Sequence, residues 1–271
     1  MRLVSYDAGR GVRAGVLTSE GVVDAGDGGV GALLRAGGVD AVRDVHGSAT
    51  PLADVRLLPP VPDPGKIVCL GLNYRSHADE AGLEAPETPT FFAKFANALV
   101  PDGTEVPLPA YSEKVDYEAE VAFVIADRCK DVPEAEALDH IAGYTLLNDL
   151  SARDYQFKTP QWLPGKVFDG SAPCGPALVT PDEAGPSDAI GIALTLNGEE
   201  MQSATTADLI HPIPKLVAYL SMLMTLEPGD IVSTGTPAGV GSVREPRVWL
   251  KKGDEVVVRS PQLGELTTTL V

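Results

Sequence analysis

Apolar positions along the chain come in short runs separated by turn-forming residues, a pattern that predicts many strands and few long helices. Over residues 1–57, runs at 3–6, 15–17 and 22–24 alternate with Gly-rich turns and read as strands, followed by a short helix at 30–36. Residues 58–65 then place Pro59, Pro60, Pro62 and Pro64 close together. Proline fixes φ and lacks an amide donor, so this stretch suits neither a helix nor a central strand. It predicts a linker between a small β-rich N-terminal domain, 1–57, and a larger domain, 66–271.

The larger part opens with a strand at 66–70, a turn at Gly71 and a helix at 73–81 stopped by Gly82. Residues 115–125 alternate as a strand, 133–138 form a short helix, and 141–148 read as an aliphatic, β-branched strand. The best amphipathic helix starts with Pro214 in its first turn and aligns Leu216, Val217, Leu220, Leu223 and Met224 as a core face. Segments 226–232 and 250–257 resemble each other, each a turn that launches a strand. These elements predict a strand-rich α+β fold assembled as a β-roll or sandwich.

With 271 residues, 44% of them hydrophobic, the chain can bury a substantial core in one or two domains. It carries 38 acidic and 21 basic side chains, a net charge of −17, which argues against nucleic acid and anionic membranes as partners. A local basic pocket could still hold an anionic substrate. Cys69, Cys129 and Cys174 form no close pair, so reduced, buried thiols are expected rather than a disulfide framework or zinc knuckle. The N-terminus lacks a secretory apolar run, and no stretch of about 18 apolar residues occurs. A cytoplasmic protein is the expectation.

Alternation along 115–125 puts Asp116, Glu118 and Glu120 on one face of the strand. A solvated face is the ordinary explanation of such a pattern. Against it, the same face continues as Ala122 and Val124, so it should be covered. Carboxylates two residues apart lie roughly 6.6–6.8 Å apart at the backbone and can converge on one cation. A hard Mg²⁺ or Mn²⁺ needs only two or three of them, and Asp149, at the end of the 141–148 strand, is a candidate third. His77 and Glu80, three apart on one helical face, form either a surface contact or a dyad able to deprotonate water. Ser151 and Asp154 have the spacing of a helix cap, which leaves Arg153 and Gln156 free to meet a ligand. Lys166 is a lone cation among apolar and turn residues. The glycine-rich turn 233–241 lets backbone amides approach an anion such as a substrate carboxylate. His46 and His140 have no evident partner, and His211 before Pro212 reads as structural punctuation.

Read in order, the segments 71–80 (Gly-Leu-Asn-Tyr-Arg-Ser-His-Ala-Asp-Glu), 116–120 (Asp-Tyr-Glu-Ala-Glu), 148–156, 165–169 and 234–241 resemble the fumarylacetoacetate hydrolase family. The resemblance covers about residue 64 to the C-terminus, and residues 1–57 are similar to the small N-terminal domain of many bacterial members. It implies the family's mixed β-sandwich roll, a homodimer, and one Mg²⁺ or Mn²⁺ held by Glu118, Glu120 and Asp149. It also implies that His77 and Glu80 handle water or a proton, and that Lys166 and Gln156 steady negative charge. Arg153 and Thr236 would contact substrate, with Lys94 at the pocket edge.

The implied activity is a metal-dependent hydrolase that cleaves a carbon–carbon bond in an acylpyruvate or other 1,3-dicarbonyl acid. An oxaloacetate-type 2-oxo acid decarboxylase and a keto–enol or double-bond isomerase are the alternatives, because all three pass through an enolate. Val167, Pro164 and Gly170 depart from the family pattern and point to an apolar rim suited to a chain longer than oxaloacetate. A catalytically silent ligand-binding subunit is the reading from a different class, and the intact dyad and ligand set argue against it.

Overall fold

A computed structural model describes residues 1–43 and 45–271. The protein is strand-rich α+β, built on an eleven-stranded mixed sheet, a five-stranded sheet and a two-stranded ribbon. The long path of the large sheet runs Gly21–Asp27, Val12–Thr18, Arg2–Asp7, Ala172–Val179, Ile141–Asn148, Ala119–Ile125, Ile231–Ser233, Ile67–Gly71, Thr90–Lys94. Five strands, Glu199–Thr205, Gly191–Leu196, Glu255–Ser260, Gly264–Leu270 and Thr104–Val106, form the second sheet. Among the described residues no helix is long and apolar enough to cross a membrane.

The central strand Ala119–Ile125 is buried on both faces. Val121, Phe123 and Ile125 pack into a core with Leu194, Val256 and Leu266 of the five-stranded sheet and Leu216, Val217 and Leu220 of the Ile213–Leu223 helix. Ala122 and Val124, on the face that begins with Glu120, pack into a second core with Leu3, Val30, Leu34 and Ile67. A strand covered on both sides cannot offer a solvated carboxylate row, and the expectation of a covered face agrees with this arrangement.

Residues 1–57, expected as a domain of their own, extend the large sheet. Arg2 and Leu3 pair with Val179 and Leu178, and the helix Gly29–Gly37 shares its core with the central strands. Helix Ile213–Leu223 has Pro214 as its second residue and buries Leu216, Val217 and Leu220. Leu223, expected in the core, is 49% exposed, and Met224 lies past the helix end. The two similar turns share one device. Asp230 accepts from the Glu227 amide at 2.8 Å, Asp254 from the Lys251 amide at 2.7 Å, and the preceding Gly229 and Gly253 both have φ +91°. That positive φ is why glycine stands there.

Two local expectations are corrected. The 115–125 strand is broken: Val115–Asp116 pairs with Ser151–Ala152 in a separate ribbon, and the ladder resumes at Ala119. At the break the Glu118 amide donates to Asn148 Oδ1 at 3.2 Å, and the Asp149 amide donates to the Glu118 carbonyl at 2.9 Å. A side-chain amide thus replaces one rung. Ser151 and Asp154 do not form a helix cap. Ser151 Oγ donates to the Asp149 carbonyl at 2.9 Å, and Asp154 accepts from Ser112 Oγ at 2.6 Å.

Phe123 is fully buried between the two sheets. Phe123→Ala should therefore destabilise the protein by about 3–5 kcal/mol, seen as a lowered denaturant midpoint with an unchanged slope.

Candidate metal centre and active site

The site lies where the break in one strand meets the end of its neighbour. Glu118 sits in the gap, Glu120 begins the regular ladder, and Asp149 follows the Ile141–Asn148 strand, so the antiparallel pairing of Ala119 with Asn148 brings all three together. One oxygen from each of Glu118, Glu120 and Asp149 lies within 4.8 Å of the others, and all three residues are buried.

Each acid has a different partner set. Glu118 Oε1 meets Arg153 Nη1 at 2.6 Å, and its Oε2 meets Lys166 Nζ at 2.7 Å. Asp149 Oδ2 meets the same Lys166 Nζ at 2.7 Å, while its Oδ1 meets Lys94 Nζ at 2.8 Å. Glu120 accepts only uncharged donors, Ser233 Oγ and the Gly235 amide. Burial would raise the Glu118 carboxyl, but Arg153 and Lys166 hold it down at about 2. Burial together with the Asp149 and Glu118 charges pushes the Glu120 carboxyl well above its ordinary value. Lys166 is raised: burial opposes its charge, and Asp149 and Glu118 outweigh that.

Counting Asp116, which binds Arg153 Nε at 2.8 Å, four buried carboxylates face three buried cations, Lys94, Arg153 and Lys166. Glu120 is the acid left without a cation. A buried charge with no opposite partner is costly, so either a proton or an added cation must compensate it. An all-oxygen trio with that deficit fits a hard dication such as Mg²⁺ or Mn²⁺.

Glu118 and Glu120 line a cavity of about 210 Å³ whose polar side also includes His77, Arg153, Gln156, Lys166 and Thr236. Leu72, Leu83, Phe92, Phe157, Trp162 and Val243 supply the apolar rim. His77 and Glu80 share the helix Arg75–Ala81, ended by Gly82 in the left-handed region, and His77 Nδ1 lies 3.4 Å from Glu80 Oε2. Arg153 is held by Asp116, Glu118 and Gln156 Oε1, the last at 3.0 Å; its Nη2 is buried with no protein partner. Thr236 Oγ1 accepts from Gln202 Nε2 at 2.8 Å.

Several expected residues are placed differently. Lys94 is not at the pocket edge. It is 2% exposed behind Asp149 and also donates to the carbonyls of Lys166 and Ser171, at 2.5 and 2.9 Å. Asp116, expected on the same strand face as Glu118 and Glu120, anchors Arg153. The glycine-rich turn uses its amides on the protein's own acids. Gly235 donates to Glu120, Gly239 to Glu80 at 2.9 Å, and Gly241 to Asp116 at 2.8 Å. His140, expected without a partner, lies 2.6 Å from Asp127. Ser233, Gln202 and Asn148 were missed because single uncharged residues carry no spacing signal in a sequence.

The sequence profile of the fumarylacetoacetate (FAA) hydrolase C-terminal family matches residues 66–271. The mitochondrial oxaloacetate tautomerase FAHD2A of Bos taurus is 43% identical over 223 residues, 82% of this chain and 71% of that protein. The crystal structure of 5-carboxymethyl-2-hydroxymuconate delta-isomerase from Mycobacterium smegmatis superposes with a TM-score of 0.83 at 36% identity, covering 100% of this chain and 98% of that one. Fumarylpyruvate hydrolase from Pseudomonas aeruginosa, in complex with Mn²⁺ and pyruvate, matches with a TM-score of 0.71 at 33% identity, over 80% and 91% of the two chains. This chain belongs to the fumarylacetoacetate hydrolase family.

Because burial and the Asp149 and Glu118 charges disfavour the ionised form of Glu120, a dication should bind there in competition with a proton. Mg²⁺ or Mn²⁺ binding should release about one proton. Affinity should weaken as pH falls, by up to about tenfold per pH unit below the Glu120 pKa. Calorimetry in buffers of different ionisation enthalpy measures the release, and Glu120→Gln should abolish it together with tight binding.

Proposed function

We propose that this member of the family is a metal-dependent keto–enol tautomerase acting on a compact 2-oxo dicarboxylic acid of the oxaloacetate type. The observation that carries this reading is the small size of the cavity together with the charged groups at its buried end. At about 210 Å³ it is smaller than the roughly 300–1,000 Å³ of ordinary ligand pockets. Its buried end combines a cation-binding trio with an unspent guanidinium donor. The kinship with a named oxaloacetate tautomerase supports the same reading.

Glu118, Glu120 and Asp149 would hold the dication, which when bound polarises a 2-oxo group and acidifies the neighbouring C–H bond. The remaining roles fall to the chain itself. Arg153, fixed on two sides by carboxylates, has Nη2 free to donate to a substrate carboxylate. Arg153 also fixes the Gln156 amide by donating to its Oε1, which leaves Gln156 Nε2 as a neutral donor for the substrate oxygen that gains negative charge. Lys166 keeps its proton at neutral pH and supplies fixed positive charge beside that oxygen. His77, oriented through Nδ1 by Glu80, has its other ring nitrogen available to take the proton from the carbon next to the 2-oxo group and to return it in the reverse direction. No bond between carbons needs to break.

The acylpyruvate hydrolase reading keeps one specific support, the apolar rim formed by Leu83, Phe92, Phe157 and Trp162. It requires His77 to activate water rather than move a substrate proton. The two readings separate in one experiment. Enol oxaloacetate and an acylpyruvate are each incubated with enzyme, with Mg²⁺ or with chelator. The tautomerase reading expects metal-dependent acceleration of enol loss without carbon dioxide or pyruvate release; metal-dependent pyruvate release from the acylpyruvate, with no effect on enol loss, overturns it.

His77→Ala should retain the metal but lower turnover at least about a hundredfold, the range for loss of a general acid–base. Arg153→Lys should raise KM more than it lowers kcat, because a point charge cannot reproduce the forked contact to a carboxylate.

A further inference from the structure

A second cluster of ligand-type side chains lies at the opposite end of the central hairpin. The strand Ala119–Ile125 rises from the carboxylate trio toward Ile125, five residues beyond Glu120, or about 17 Å of strand. Past that end the chain loops through 126–140 before returning as the strand Ile141–Asn148. Asp127, Cys129 and His140 stand at the two mouths of this loop, each offering one ligand atom, and these atoms lie within 4.8 Å of one another.

The three are held by backbone as well as by side chains. The Ala126 amide donates to the His140 carbonyl at 2.8 Å, which closes the loop. Cys129 exchanges two hydrogen bonds with Leu226, each 3.0 Å, which fixes its Cα against the neighbouring turn. His140 Nδ1 lies 2.6 Å from Asp127 Oδ1, so two of the three ligands already face each other. Cys129 is a buried free thiol, while His140 and Asp127 keep 24% and 58% of their side-chain surface open, which gives an ion a way in. The cations nearby are engaged elsewhere: Lys66 with Asp230 at 2.6 Å, Arg128 with Glu227 at 3.5 Å, Lys130 with Asp131 at 2.9 Å.

We propose that Asp127, Cys129 and His140 form a second metal site, selective for a borderline-soft dication of the Zn²⁺ class. One sulfur, one imidazole nitrogen and one carboxylate oxygen match the ligand types that Zn²⁺ takes in four-coordinate sites, with the fourth position left to water. Hard Mg²⁺ prefers oxygen alone and stays with Glu118, Glu120 and Asp149. On binding, the thiol proton leaves to solvent and His140 coordinates as the neutral ring. Loop 126–140 also packs on the Ile213–Leu223 helix, where the Asp131 amide donates to the Ser221 carbonyl at 3.1 Å, so the ion would tie the hairpin end to that packing.

Cobalt distinguishes the two sites, because a thiolate ligand gives a near-ultraviolet charge-transfer band that an all-oxygen site lacks. The full chain is first saturated with Mg²⁺ and then titrated with Co²⁺. The expected result is a saturable near-ultraviolet band in the native protein, bleached by equimolar Zn²⁺, retained in Glu120→Gln and lost in Cys129→Ser. His140→Ala, at a partly exposed position, should weaken Co²⁺ binding by more than the roughly 10–100-fold that loss of an outer-sphere partner costs. Absence of the band in the native protein, its persistence in Cys129→Ser, or undiminished affinity in His140→Ala overturns the proposal.

Discussion

A buried surplus of negative charge governs the centre of this protein. Four carboxylates and three cations meet in a buried region at the inner end of the cavity, and among the described residues Glu120 is the acid with no cation in contact. Neutralisation is the only inexpensive resolution in a low-dielectric setting. Burial and the neighbouring carboxylates favour a proton on Glu120, and a bound cation would offset the same surplus. Removing any one cation would deepen the surplus, and Lys94 meets Asp149 from outside the cavity that Glu118 and Glu120 line.

The fold makes that arrangement affordable by spreading its parts over rigid elements. Strand pairing sets the separation of Glu120 and Asp149, the break at Glu118 turns its carboxylate toward Lys166, and the short ribbon carries Asp116 to Arg153. Two apolar cores, one on each face of the central strand, hold these ends still. The polar groups of the site sit at strand ends, on the short helices Arg75–Ala81 and Arg153–Gln156, and at Lys166 just after a 3-10 turn, whereas the apolar rim comes mostly from loops.

Much of this was legible in the sequence. The strand 141–148 is aliphatic, β-branched and bounded by clear turns, and it forms within the expected limits. The acids Glu118, Glu120 and Asp149 could be singled out because alternation and a strand end put them in reach of one another. The broken strand was not legible, since its cause is the Asn148 side chain standing in for a backbone partner, a contact across 30 residues. Lys94 could not be told from a pocket residue because a buried lysine and an exposed one look alike in a chain. The glycine-rich turn was identified as an anion binder, but sequence carries no indication that the anions are side chains of the same protein.

That turn has an evolutionary implication. Its amides at Gly235, Gly239 and Gly241 reach Glu120, Glu80 and Asp116, drawn from one helix and from both sides of the strand break, so the spacing between those glycines works as a gauge common to the proposed ion ligand, the His77 partner and the guanidinium anchor. A single insertion there would throw all three out of step at once, while the rim at Leu83, Phe157 and Trp162 shares no such link. Descendants of this scaffold can therefore drift in what they admit while the reacting end stays frozen in length.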